Sequence, residues 1–275
     1  MQYYSEENPD AFKMSEAVAV ASRVLLSLIA LYALLTVGGH FYSLARIFPR
    51  PPVSYVLTDD YIRLTAPDGV RIIARHWPNP AAKYTMIYLH GNYEDLGNIG
   101  EYIPQFVTAG YAVFALDYRH YGYSGGTPAE ANTNADVQMA YEYVRNNLQV
   151  PADRIIIFGY SLGSGPAVEL ALHHPAAGLI LQGAYISTYR VITRFPLFPG
   201  DKFVNIAKVP RLQMPVFVIH GTADPTIPFW HGEALYAAIT TRKAKLFVEG
   251  GPHIRLGEYT GPRYWEELKK FTDSL

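Results

Sequence analysis

The 275-residue sequence contains no cysteine. That absence removes disulfides, thiolate metal sites and a cysteine nucleophile together, and it is compatible with either redox compartment. No Asn-x-Ser/Thr triplet occurs, so no face is marked for N-glycosylation. Basic excess is lacking too: 23 lysines and arginines stand against 24 acidic residues, a formal net charge of -1. With no recognition motif beside it, that balance gives no reason to expect a nucleic-acid partner. Internal repeats and low-complexity tracts are also missing. What is present is a chain 49% hydrophobic, long enough for one sizeable α/β domain.

One local absence organises the N-terminus. From Val24 to Ala45 there is no Asp, Glu, Lys or Arg. At about 1.5 Å per residue, a helix over this run just crosses a hydrocarbon core of roughly 30 Å. The expected organisation is an N-terminal tail (1–16), a single-pass transmembrane anchor (17–45) and a catalytic domain (46–275). A buried N-terminal helix and a cleaved signal peptide are the alternatives. The second fits poorly, because the apolar run begins late, follows acidic residues (Glu6, Glu7, Asp10) and lacks a small-x-small cleavage site. Lys13 and Arg23 before the span and Arg46 and Arg50 after it leave the orientation open.

Beyond the stiff connector Phe48-Pro49-Arg50-Pro51-Pro52, the pattern changes. Tyr61–Thr65 and Val70–His76 read as strands joined at the Asp68-Gly69 turn. Continuous apolar runs at Thr85–Leu89, Ala112–Leu116, Ile155–Phe158, Leu179–Leu181, Val216–Ile219 and Leu246–Val248 read as strands buried on both faces. Helical patterns at Asn134–Leu148, Leu162–His173 and His231–Ile239 separate several of them. Strands alternating with helices imply an α/β fold: a mainly parallel sheet with helices on both faces. The stretch Ala184–Met214 is the least regular and too short for a large lid domain.

Gly159-Tyr160-Ser161-Leu162-Gly163 follows one buried strand directly and opens a helix. Gly-x-Ser-x-Gly in that context is the nucleophile turn of α/β-hydrolases. The turn is tight enough to require glycine on both sides, and it pushes the Ser161 hydroxyl out at the carboxyl end of the sheet. A serine hydroxyl needs a base, usually a histidine held by a carboxylate. In this chain order the acid follows the serine and the histidine comes last. Asp224, after the strand Val216–Ile219, and His253, in Gly250-Gly251-Pro252-His253 after Leu246–Val248, fall on the same sheet edge. His220 and His231 compete for the base, Asp201 and Glu249 for the acid. His90-Gly91-Asn92 follows Thr85–Leu89, where this fold takes one backbone oxyanion donor. The expected donors are Asn92, with Tyr93 as the alternative, and Leu162.

Taken together, FPRPPVSY (48–55), HGN (90–92), DYRHYGYSGG (117–126), GYSLGSG (159–165), HGTADPTIP (220–228) and GPH (251–253) give the chain a recognisable likeness. From Phe48 to Leu275 it resembles membrane-anchored members of the α/β-hydrolase domain-containing group, whose relatives include acyl-protein thioesterases and lipid esterases. The resemblance implies an α/β-hydrolase fold, a Ser161–Asp224–His253 triad, no metal or organic cofactor, and a small-molecule ester, lipid or acylated protein as substrate. A serine peptidase and an inactive binding protein on the same fold are the alternatives. Two departures from the group's pattern stand out. Pro252 and Ile254 flank the histidine where small or polar residues are usual, and Tyr93-Glu94-Asp95 follows HGN. Asp117 and Arg119 are expected to brace the loop Tyr121–Gly126.

Overall fold

The structure is a computed structural model that describes residues 9–275; residues 1–8 of the expected tail, with Glu6 and Glu7, lie outside the described residues. The chain divides into two compact units, one ending at Ala45 and one spanning Arg46–Leu275. The first is helix α1, Pro9–Ile47, which begins eight residues before the expected anchor. Its portion Ala17–Ile47 is long and apolar enough to cross a membrane, and none of its most apolar window is buried. Ser22 and Thr36 donate their hydroxyls back to the carbonyls of Val18 and Tyr32. These polar groups are therefore satisfied within the helix, which an apolar surrounding requires.

The second unit is built on eight strands: β1 Tyr61–Thr65, β2 Arg71–Trp77, β3 Thr85–Leu89, β4 Ala112–Leu116, β5 Ile155–Tyr160, β6 Gly178–Gln182, β7 Val216–Gly221 and β8 Lys243–Val248. They form one sheet in the order β1-β2-β4-β3-β5-β6-β7-β8. The β1–β2 hairpin is antiparallel, as is its junction with β4, and every other pairing is parallel. The helices are α2 Leu96–Gly100, α3 Ile103–Thr108, α4 Glu130–Asn146, α5 Ser164–His173, α6 Asn205–Lys208, α7 Trp230–Ala238, α8 Leu256–Thr260 and α9 Pro262–Asp273.

Successive strand residues point to opposite faces. On one face Met86, Tyr88, Val113, Ile156, Phe158, Phe217 and Leu246 join Leu96, Ile99, Ile103 and Phe106 of α2 and α3 and Leu256, Leu268 and Phe271 of α8 and α9 in one buried core. The other face carries Ile87, Phe114, Ile157, Leu179 and Val218, all fully buried. It is covered by α4, α5 and α7, with Tyr143 of α4 stacked on Phe114. The central strands are apolar along their whole length because both faces are covered.

The short helices α2, α3 and α8 and the amphipathic α9 escaped the pattern reading. Asp95 fixes the start of α2, accepting from the Gly97 and Asn98 backbone while the Asn98 side chain returns to the Asp95 N–H. Expected helix 162–173 begins two residues later, after a 3₁₀ turn at Ser161–Gly163. Arg119 packs its stem beside Gly126 of the glycine-rich loop. Its guanidinium spans Asp136 of α4, at 2.9 Å, and Asp68 of the β1–β2 turn. The Asp117 carboxylate lies against Gly122 of the same loop, where a Cβ would overlap it, and accepts the Leu96 N–H at 2.8 Å and the Tyr55 hydroxyl at 2.6 Å; burial pushes its carboxyl up to about 8. It ties the start of α2 to the end of β4, while its backbone carbonyl receives the Ser124 hydroxyl.

Parallel register brings the carboxyl ends together. Leu89 pairs with Gly159, and Gly221 with Val248. The turn after β5 is so close to the end of β3 that a Cβ on Gly163 would overlap the backbone carbonyl of Leu89. Gly163→Ala is therefore expected to cost about 2–3 kcal/mol through backbone displacement. For a domain of this size that lowers the thermal midpoint by roughly 5–10 °C. Thermal denaturation of the purified chain checks this; an unchanged midpoint would mean that the turn is looser than described.

Candidate active site

Ser161 stands where β5 turns into α5, with φ of 51°. This left-handed conformation is costly for a residue with a Cβ, and it is held by its surroundings. Gly159 makes room at the turn: a Cβ there would press on Ala167 and on Ser164. The Ser164 hydroxyl donates to the Ser161 carbonyl at 2.7 Å, closing the turn.

The strand ends deliver two partners to that hydroxyl. His253 Nε2 lies 2.9 Å from Ser161 Oγ, and His253 Nδ1 lies 2.6 Å from Asp224 Oδ2. All three residues are buried, each less than a tenth exposed. Asp224 Oδ1 accepts the backbone N–H groups of Thr226 and Ile227, both at 2.8 Å. Burial alone would push the Asp224 carboxyl up. The hydrogen bond and charge of His253, with the two N–H donors, outweigh it and hold the carboxyl below its ordinary value. Tyr160 stacks on the His253 ring at 5.3 Å and donates its hydroxyl to the His253 carbonyl at 3.3 Å. The unusual flanks do not disturb this. Ile254 turns outward, 66% exposed, and Arg255 takes a left-handed φ of 55° that sends the chain into α8.

The competing residues have other work. His220 Nε2 bonds to the Ile227 carbonyl at 2.9 Å, bracing the loop that carries Asp224. His231 Nδ1 accepts the Ile186 N–H at 3.2 Å. Asp201 accepts from the Ser187 and Thr188 hydroxyls and from the Tyr189 and Lys202 backbone, ordering the irregular stretch after β6. Glu249 meets Tyr259 only through its backbone carbonyl.

At the end of β3, His90 Nδ1 lies 2.7 Å from the Gly91 carbonyl, and the Tyr118 hydroxyl donates to the His90 carbonyl. The Gly91 N–H is taken by Glu94 Oε2 at 2.7 Å. The N–H groups of Asn92 and Tyr93 have no acceptor among the described residues, whereas the Asn92 side chain donates to the Arg46 carbonyl at 3.1 Å. Pattern reading noted Glu94 only as a departure after HGN. Its role in holding this loop, through Gly91 and the Tyr102 hydroxyl at 2.8 Å, depends on α2 and α3, which the pattern did not reveal.

Residues 80–199 match the family model described as "Serine aminopeptidase, S33". The chain is 36% identical over 204 residues to the Alpha/beta hydrolase domain-containing protein aho-3 of Caenorhabditis elegans, covering 71% of this chain and 59% of that one. It is 37% identical over 198 residues to Alpha/beta hydrolase domain-containing protein 17B of Homo sapiens, covering 70% of this chain and 67% of that one. The chain belongs to the α/β-hydrolase domain-containing protein family. Beyond the family, the Pyrococcus furiosus esterase Pf2001 superposes with a TM-score of 0.70 at 17% identity, over 82% of this chain and 97% of that one. That likeness shows the α/β-hydrolase fold. The family's hydrolase fold is thus present here with a serine, histidine and aspartate in line at its sheet edge.

Burial makes the competing histidines informative. The pKa of His231 is lowered from 6.5 to about 4, first by burial and then by the charges of His220 and Arg190. Between those values the unfolded chain binds a proton that the folded one does not. Stability contributed by neutral His231 is therefore present above about pH 6.5 and lost as pH falls towards 4. In His231→Gln, which keeps an acceptor but does not titrate, the stability difference from wild type should narrow by about 1–2 kcal/mol between pH 7 and pH 5. Urea denaturation at the two pH values measures this, and a constant gap would show that His231 is solvated.

Proposed function

We propose that the chain is a serine hydrolase that cleaves carboxylic ester or thioester bonds through an acyl-Ser161 intermediate. The observation that carries this reading is the unbroken relay Ser161 Oγ, His253 Nε2, His253 Nδ1, Asp224 Oδ2 at 2.9 and 2.6 Å. As Ser161 Oγ attacks the acyl carbonyl, its proton passes to His253 Nε2. Asp224 holds the ring with Nδ1 protonated and stabilises the imidazolium that forms. The N–H of Leu162, at the start of the turn that opens α5, and the N–H of Asn92 receive the developing oxyanion. Two such preorganised donors are worth about 3–4 kcal/mol each in the transition state. The imidazolium then protonates the departing alkoxide or thiolate. In the second half, His253 takes a proton from water, the hydroxide oxygen joins the acyl carbon, and Ser161 recovers its proton as the acid leaves.

Ser161→Ala should abolish fluorophosphonate labelling and lower hydrolysis by about 10⁵-fold or more, with the thermal midpoint retained. Asp224→Asn keeps the size but loses the charge, and should cost on the order of a thousandfold or more in kcat/KM. A panel of p-nitrophenyl esters, acyl thioesters and peptide amides separates ester and thioester cleavage from peptidase action. Robust turnover by Ser161→Ala, or amide cleavage alone, would overturn this reading.

The substrate reading is a lipid or acylated protein presented at a membrane, with α1 as a single-pass anchor. The length and apolarity of Ala17–Ile47 support it. The full chain should stay with membranes through high salt and alkaline carbonate; quantitative release by carbonate would remove the anchor and this choice of substrate.

A further inference from the structure

A cavity of about 310 Å³ opens on the sheet face covered by α2, α3, α8 and α9. Neither Ser161 nor Asp224 lines it. Tyr160, which stacks on His253, forms part of its wall. Its lining is aromatic: Tyr88, Tyr102, Phe106, Tyr160, Tyr264 and Trp265 all contribute. Its charge is lopsided, since Glu94, Glu101 and Glu258 face one cation, Arg255, which lies 3.8 Å from Glu258.

Glu94 decides what such a cavity accepts. One carboxylate oxygen takes the Gly91 N–H and the other the Tyr102 hydroxyl, itself 3.1 Å from the Tyr88 hydroxyl. These donors are neutral, and no Lys or Arg side chain pairs with Glu94 among the described residues. Burial accordingly pushes the Glu94 carboxyl above its ordinary value. A half-buried carboxylate with no Lys or Arg paired to it, set among aromatic rings, favours a cation over a neutral guest. Each Glu94 oxygen already holds one donor and can accept about one more, so Glu94 by itself cannot satisfy an ammonium with three N–H groups, whereas a guest that needs no directional hydrogen bond leaves no donor unpaired. The volume suits a bulky, weakly hydrated head.

We propose that this cavity is a binding site for a quaternary alkylammonium group, held by the Glu94 carboxylate and by the faces of Tyr102, Tyr160 and Trp265. The occupant abuts both elements that frame the reaction centre, because Glu94 holds the Gly91 N–H and Tyr160 stacks on His253. The site's existence does not rest on the serine-hydrolase reading, and Ser161→Ala should bind the cation as wild type does.

The test is isothermal titration of the full detergent-solubilised chain with choline and with its neutral isostere 3,3-dimethylbutan-1-ol. Choline should bind at least tenfold more tightly. Glu94→Gln should remove that preference, and Trp265→Leu should weaken choline at least fivefold. Trp265→Leu leaves the Gly91 contact intact and so serves if Glu94→Gln does not fold. A glycerophosphocholine titration distinguishes the source. Equal affinity assigns the cation to a lipid headgroup, choline binding alone assigns it to a free small molecule, and either result supports the site. Equal binding of choline and the alcohol would overturn the proposal and make the cavity a plain apolar pocket. Absence of binding by both would overturn it as well.

Discussion

Ser161 is kept in a left-handed conformation, φ 51°, by the close packing of the turn between β5 and α5. The neighbours of that turn explain much of the architecture. Gly159 and Gly163 are where a side chain would strike α5 on one side and the Leu89 carbonyl on the other. The contact with Leu89 requires β3 to lie beside β5 in parallel register, and the sheet order supplies that. Parallel register in turn places the loops after β3, β5, β7 and β8 on one edge, which is where His90, Ser161, Asp224 and His253 emerge. The strained serine, the strand order and the shared edge are one constraint seen at three scales.

Three carboxylates along this edge, Asp224 and Asp117 buried and Glu94 half-buried, show how environment divides one functional group into separate roles. Asp224 has two backbone N–H donors and an imidazole, so its charged form is favoured despite burial. Glu94 has one backbone N–H and one phenol, and burial wins. Asp117 also has one of each, and burial pushes it up as well, to about 8. Donor number and charge set Asp224 apart from the other two. It separates a carboxylate suited to stabilising an imidazolium from two that tie the HGN loop and α2 to the sheet.

Much of the architecture was legible because buried parallel strands leave a plain mark. The apolar runs from Thr85 to Val248 located the six strands from β3 to β8, with ends displaced by up to three residues. The serine, aspartate and histidine that the structure aligns were legible from chain order and from glycine spacing. The rest was hidden for identifiable reasons. Helices α2, α3 and α8 span only five or six residues each, too short to show a period, and α2 depends on the side-chain cap at Asp95. Helix α9 follows Pro262 at the chain end, and its apolar positions Tyr264, Leu268 and Phe271 are outnumbered by charge. Asp117 and Arg119 were legible as structural residues but not by partner, since their partners lie in elements distant in sequence.

The aromatic cavity follows from these same unread helices. Nothing in the spacing of 22 tyrosines suggests a site, because those that line it come from β3, the residue before α3, β5 and α9. Only the fold gathers them. Once gathered, they are joined by Glu94, which lies two residues past the HGN sequence and is held by that same loop. The HGN loop, proposed to carry one oxyanion donor, and the wall that stacks on His253 therefore share a boundary with the cavity. A cation seated there would lie against Tyr160, which stacks on the His253 ring.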